Sequence, residues 1–374
     1  MKVLIFCDFK GNLGDVIRIS KMADAFSVAG HEVEVLNASV FYKNPFNVVV
    51  RRSSFSALAG WVVSGKKGRM RDWIYAKLCE SIVSERLKRE RFDAVIAEGI
   101  IQGANVSGAC SLAGVPLVTD VHGLASAEYS ENKFHSVSEK RLRFLCEAEG
   151  LAARESAILL AVSKSMKDYF IGCGVPASRV VVAMNGADPS KNTARFAKPM
   201  RVIYAGIFAF WEDVDSFLDM ARADLANEFF IAGRGPLKNH VEKRIINEKI
   251  RINYLGSLKR AQLLDSLVSM QVGLAPSVDA LTRRVACPIK VFDYLATGLP
   301  VVTPDFGDWA KIIRESEAGV VTSNSNAREF GEAISLLGDK SVWNKMSRNA
   351  IGVIRNEMNW SRVLQPVIEA VEGL

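Results

Sequence analysis

The residues best suited to chemistry lie between Cys287 and Pro304, in the run CPIKVFDYLATGLPVVTP. Pro288 fits the first turn of a helix, where its missing N–H costs nothing. Lys290, Asp293 and Tyr294 then ride on that helix, and Val291, Phe292 and Leu295 are available to pack. Gly298 ends it in a left-handed cap, and Pro300-Val301-Val302 starts a buried strand. The first turn, Pro288-Ile289-Lys290-Val291, offers unpaired backbone N–H groups and a partial positive charge, which suits a diphosphate. Lys290 adds a formal charge beside it. Asp293, about one turn further on, is placed to accept hydrogen bonds from ribose hydroxyls.

Other candidates are more scattered. His122 closes the strand-like run VPLVTDVHG. The turn Lys10-Gly11-Asn12-Leu13-Gly14-Asp15 follows the first apolar run; its glycines let backbone approach a ligand closely, and Asn12 tolerates a left-handed conformation. Gly206 ends the run MRVIYAG, and Gly233-Arg234-Gly235 ends EFFIAGRG but is too short to be a dinucleotide fingerprint. Asp213-Val214-Asp215 imitates a metal-binding D-x-D pattern, yet it opens a helix, where acidic residues favourably meet the dipole, so it reads as a cap. The six cysteines show no C-x-x-C pair, which argues against structural zinc and a disulfide framework.

The elements that must position these residues follow from alternation. Strand-like runs at 2–9, 32–37, 92–98, 115–123, 158–163 and 179–185 alternate with helical stretches, as in a parallel sheet with crossover helices. Residues 189–199, PSKNTARFAKP, are polar and carry two prolines, so they read as a linker. The pattern restarts at 200–206, 228–235, 250–256, 272–277, 299–305 and 319–322. The expectation is an α/β chain of two Rossmann-like domains, 1–188 and 200–355, facing across a cleft, with a last helix in 356–374 packing back on the first. In open α/β sheets ligands bind beyond the carboxyl ends of the strands.

Charge is uneven. Residues 1–200 hold 27 Lys/Arg against 20 Asp/Glu, whereas 201–374 hold 21 against 21. Within the first half, 43–91 carries 12 basic and 4 acidic residues interleaved with Trp61, Trp73 and other aromatics. That mixture suits either an anionic membrane interface or ordinary helix surface over a core. Nucleic acid ranks below both, because no recognised nucleic-acid module accompanies it. The uncharged stretch 99–119 contains glycines and Pro116 and splits into a helix and a strand, so no transmembrane helix is expected. The opening MKVLIFCDF reads as a first strand and not a signal peptide.

PIKVFDYLATGLPVV resembles the P-x-K-x-x-E-Y-x-A-x-G-x-P-V-V segment of glycosyltransferase family 4, whose members have the GT-B fold. Further landmarks fall in the family's order: Gly30-His31-Glu32-Val33, Val162-Ser163-Lys164-Ser165, Asn185-Gly186-Ala187-Asp188, Ala205-Gly206, Gly233-Arg234-Gly235-Pro236, Tyr254-Leu255-Gly256 and Pro276-Ser277. The resemblance implies a retaining, metal-independent transferase without cofactor that uses a nucleotide-diphosphate sugar. His122 and Lys290 would be the catalytic residues. The donor would bind to Lys290, Asp293, Gly206, Arg234, Pro288, Ile289 and Val291, with Gly11, Asn12 and Gly14 near the reaction centre.

Two departures stand out. Of the family's two glutamates separated by seven intervening residues, the first is Val285 here and the second is shortened to Asp293. Many relatives place an Arg just after the glycine of the Gly206 strand and a Lys before a second glycine, both on the diphosphate; here those positions are Ile207, Glu212 and Asp213. Phosphate charge must then be met by Lys290, the helix N-terminus and Arg234, Arg283 or Arg284. The expected function is transfer to a glycan, lipid-linked or protein acceptor in surface glycoconjugate assembly, in the cytoplasm or at the inner membrane face. The alternatives are a non-catalytic sugar-binding or partner subunit and a nucleotide-sugar epimerase; against the latter, no histidine follows His240.

Overall fold

The computed structural model of the chain describes residues 1–8, 13–38, 69–134 and 136–374. These described residues fall into two compact units, those within 1–130, 136–183 and 364–374 in the first and those within 131–134 and 184–363 in the second.

In the first unit the apolar runs become six strands: β1 (Lys2–Cys7), β2 (Glu32–Asn37), β3 (Ala94–Glu98), β4 (Leu117–Val121), β5 (Ile158–Ala161) and β6 (Val180–Val182). All pair in parallel, in the order β2-β1-β3-β4-β5-β6. Val3 to Cys7 and Val95 to Ala97 are fully buried, as expected of strands covered on both faces. The helix Arg69–Arg89 carries the described part of the basic tract and sinks Cys79 and Val83 into a core with Leu4, Phe6, Val95 and Val106. Several of its cations are matched: Arg86 holds Glu34 at 2.6 Å, Arg89 holds Glu85 at 2.8 Å and Lys77 holds Glu80 at 2.6 Å. The rest of that tract, 43–68, lies outside the described residues. The helix Trp360–Glu372 buries Leu364, Val367 and Val371, and Glu372 meets His31 at 2.9 Å.

The second unit repeats the scheme with β7 (Arg201–Ile207), β8 (Glu228–Arg234), β9 (Ile252–Gly256), β10 (Val272–Leu274), β11 (Val301–Pro304) and β12 (Gly319–Thr322). The order is β12-β11-β10-β7-β8-β9, again all parallel. The stretch 189–199 forms no helix or strand, but it lies along this unit: Ala194 N–H donates to the Thr297 carbonyl at 2.8 Å, and Phe196 sits edge-on to Trp343. Among the described residues no helix is long and apolar enough to cross a membrane.

Candidate functional site

In each sheet the chain order reverses beside the first strand, between β1 and β3 and between β7 and β10. Such switch points open a crevice at the carboxyl ends of the strands. Several of the described sequence candidates, Lys290, Gly206, His122 and Gly14 among them, lie on or directly after elements beside these two places.

In the second unit the helix Ile289–Ala296 follows Pro288, which occupies its N-cap position. Val291, Phe292 and Leu295 are fully buried, and this fixes the helix face. Tyr294 locks the helix to the sheet: its ring lies over Gly273, where an added Cβ would come within 2.4 Å, and its hydroxyl accepts the Ala205 N–H at 2.8 Å. Burial pushes that hydroxyl well above the usual phenol range, so it stays protonated. Asn185, of the Asn-Gly-x-Asp landmark, pins the approach to the helix: its amide donates to the Cys287 carbonyl at 2.5 Å and its N–H to the Cys287 thiol at 3.3 Å.

Lys290 leaves the first turn and lies nearly buried over the Tyr204 ring, 4.5 Å from its centre. Gly206, at the end of β7, makes room for it; a Cβ there would stand 3.0 Å from Lys290 Nζ. The ammonium donates to Glu212 Oε2, whose other oxygen lies 3.6 Å from Arg283. Arg283 is itself buried, with Ser277 at 3.3 Å and the Trp309 ring beneath its guanidinium. Burial, with Arg283 adding to it, brings the Lys290 ammonium down to about 8, and Glu212 opposes that fall.

Asp293 is 3% exposed, and Arg260 holds both its oxygens, at 2.8 and 2.6 Å. Burial pushes this carboxyl upward and Arg260 counteracts it. Each oxygen retains acceptor capacity beyond the one Arg260 uses.

The remaining candidates divide. Arg234 ends β8 opposite Ile207, with its side chain exposed. Arg284 turns outward to Asp279 at 2.6 Å and does not join the Lys290 cluster. Asp213 caps the helix Val214–Ala223 by accepting the Ser216 N–H at 3.2 Å. Gly233 is tightly enclosed: with φ at 151°, an added Cβ would fall 1.9 Å from the Gly206 carbonyl oxygen. Gly233→Ala is therefore expected to lower stability by about 2–5 kcal/mol, read from urea unfolding, because it combines strain with overpacking against the strand that carries Gly206.

In the first unit His122 follows β4, and its Nε2 lies 2.7 Å from Glu98 Oε1 at the end of β3. Glu98 is buried, so the histidine ring is held by a fixed carboxylate. Gly14 lies in the first turn of the helix Leu13–Val28. Gly11 and Asn12 lie outside the described residues. Two further side chains escaped the sequence reading as site residues: Arg260, which carries no motif, and Glu212, which looked only like a lost cation.

The family model described as Glycosyltransferase Family 4 matches residues 16–191, and that described as Glycosyl transferases group 1 matches residues 199–339. No curated protein matches the chain in sequence. Among solved structures, Anabaena HepE in complex with UDP is similar with 16% identity, a TM-score of 0.69 and coverage of 100% of both chains. Sucrose-phosphate synthase from Thermosynechococcus elongatus gives 12% identity and a TM-score of 0.79, covering 100% of this chain and 99% of that one. The lipopolysaccharide outer core galactosyltransferase WaaB gives 13% identity and a TM-score of 0.66, with 99% of each chain covered.

Proposed function

We propose that this chain, a glycosyltransferase belonging to family 4 with the GT-B fold, moves a sugar from a nucleotide-diphosphate donor with retention of configuration and without a metal ion. One observation carries the donor side: a nearly buried lysine at a helix N-terminus, against a glycine at the sheet's switch point. Breaking the anomeric C–O bond leaves an oxocarbenium-like sugar and drives negative charge onto the departing diphosphate. Fixed N–H groups and cations that meet this charge can supply most of the rate enhancement. Lys290 and the first-turn N–H groups serve that purpose here, with Arg283 beside them.

Asp293, steadied by Arg260, receives the ribose hydroxyls, and Gly206, Pro288 and Ile289 line the donor. Val291, expected beside them from the sequence, is fully buried with its N–H on the Pro288 carbonyl at 3.1 Å and holds the helix in place instead. Arg234 is the outer cation of the same strand ends. His122, oriented by Glu98, belongs beside the donor sugar, with Gly14 and the Gly11-Asn12 turn near the reaction centre. The neighbour HepE is described with UDP and UDP-glucose, so uridine nucleotide sugars are the first donors to try.

Incubation with UDP-glucose, UDP-galactose or GDP-mannose in EDTA is expected to release nucleoside diphosphate, with the first-formed sugar product keeping the donor's anomeric configuration by NMR. Release that needs added Mg²⁺, or an inverted product, would contradict the proposed mechanism. The acceptor belongs to surface glycoconjugate assembly and is met at the inner membrane face. Trp73, 61% exposed on the basic helix Arg69–Arg89, supports this. The protein should sediment with phosphatidylglycerol vesicles and less with phosphatidylcholine; equal sedimentation with both would remove the membrane part.

A further inference from the structure

Glu212 stands where many family relatives carry a phosphate-gripping lysine, so the sequence alone presents it as a loss. The structure gives it a built position. The loop that carries it is tied on both sides: Glu212 N–H donates to the Ala209 carbonyl at 3.0 Å, Val214 N–H to the Glu212 carbonyl at 2.8 Å, and Val278 N–H to the Trp211 carbonyl at 3.1 Å. Asp213 then caps the next helix. These ties deliver a carboxylate that is 4% exposed between two cations from two other elements, Lys290 and Arg283. A buried carboxylate is costly unless it is paired, and a buried ammonium likewise. Lys290 meets the carboxylate in a direct hydrogen bond, and Arg283 lies within 3.6 Å of its other oxygen.

We infer that Glu212 is a positioning residue that keeps Lys290 charged and aimed along Gly206, so that the ammonium is available to the donor diphosphate. Where many relatives carry a loop lysine in addition to the helix one, this loop instead supplies a counter-charge to the helix lysine. The titratable and charged groups facing Lys290 are Glu212 from the loop, Arg283 from the short helix Leu281–Arg284 and Tyr204 from β7. Tyr204 is buried with its hydroxyl on the Ile207 carbonyl at 2.7 Å, and burial holds it well above the usual phenol range, so it adds no negative charge. Arg283 repels Lys290. Glu212 is thus the group that favours the ammonium. With it in place Lys290 titrates at about 8, already below its ordinary 10.5. Without it, desolvation and Arg283 act unopposed, and the proton leaves at lower pH still.

The role in phosphate binding rests on the donor reading of this pocket, so the test measures the lysine and the ligand separately. The rate of amine-selective acetylation at Lys290, followed by mass spectrometry from pH 6 to 10, reports its titration without any nucleotide. Titration calorimetry with UDP over the same range reports binding. Glu212→Gln is expected to move the acetylation midpoint down by about one pH unit or more, and to weaken UDP binding about tenfold at pH 8 with recovery near pH 6.5. Glu212→Asp, which keeps a carboxylate, should return both profiles most of the way to wild type, and it covers the case in which the glutamine variant does not fold. A midpoint unchanged or raised in Glu212→Gln, or an aspartate variant whose midpoint falls as far as a neutral side chain would bring it, overturns the inference. If UDP binds the wild-type protein at no pH while the acetylation midpoint shifts as expected, the hold on Lys290 stands and the donor reading fails.

Discussion

Lys290→Met is expected to lower kcat/KM for the sugar donor by about 10²- to 10³-fold, the loss typical of removing one fixed donor to a developing negative charge. Methionine roughly preserves length and apolar bulk, so packing over Tyr204 survives and the charge goes. The same change strands the Glu212 carboxylate with Arg283 alone, and breaking a buried pair typically costs about 3–5 kcal/mol of stability. Activity and stability therefore fall together in the single variant. Combining Lys290→Met with Glu212→Gln and Arg283→Met leaves no charge of this buried cluster uncompensated, so stability should recover substantially while activity does not. Denaturant unfolding and initial-rate kinetics on the single and triple variants separate the two. Restored activity in the triple variant would show that the single variant failed through folding alone.

Asp120→Ala should produce the largest stability loss in the first unit, also about 3–5 kcal/mol. Arg18 and Asp120 are 2% and 0% exposed and meet through two bonds of 2.7 Å, and Arg18 also donates to the Ala183 carbonyl at 2.9 Å. Taking away the acid removes the carboxylate that meets this buried guanidinium. The replacement of both partners, Arg18→Met with Asp120→Leu, should cost far less, because no uncompensated charge remains. Since β4 ends at Val121, directly before His122, loss of this pair also loosens the strand end that carries the histidine. Thermal and urea unfolding of the two variants decide the matter; equal losses would mean that Asp120 acts through shape and not charge.

Much of the fold was legible because parallel strands buried on both faces leave continuous apolar runs. EVEVLN maps onto β2 residue for residue, and Val3 to Cys7 is buried as its composition demands. The helix of Lys290 was legible for a different reason: Pro288 and Gly298 mark its two ends, and Gly298 does adopt the left-handed φ of 75°. What stayed hidden was the pairing across elements. Lys290 and Glu212 are 78 residues apart and Asp293 and Arg260 are 33 apart, so no local period links them. Arg284 and Arg283 are adjacent in sequence and equally basic, yet one faces Asp279 outward and the other is buried beside Glu212, a distinction set by the turn of a four-residue helix. Aromatic and basic residues in 43–91 suggested a partner, but in the described part of that tract some of the charge is consumed by Glu34, Glu80 and Glu85.

The most direct test of the central claim is titration calorimetry of the wild-type protein and Lys290→Met with UDP-glucose and GDP-mannose in EDTA at pH 7. One of these donors should bind the wild-type protein without metal, and Lys290→Met, soluble and folded by circular dichroism, should lose that binding by tenfold or more. Binding of equal strength to both proteins would contradict it, because the diphosphate would then be held somewhere other than at Lys290.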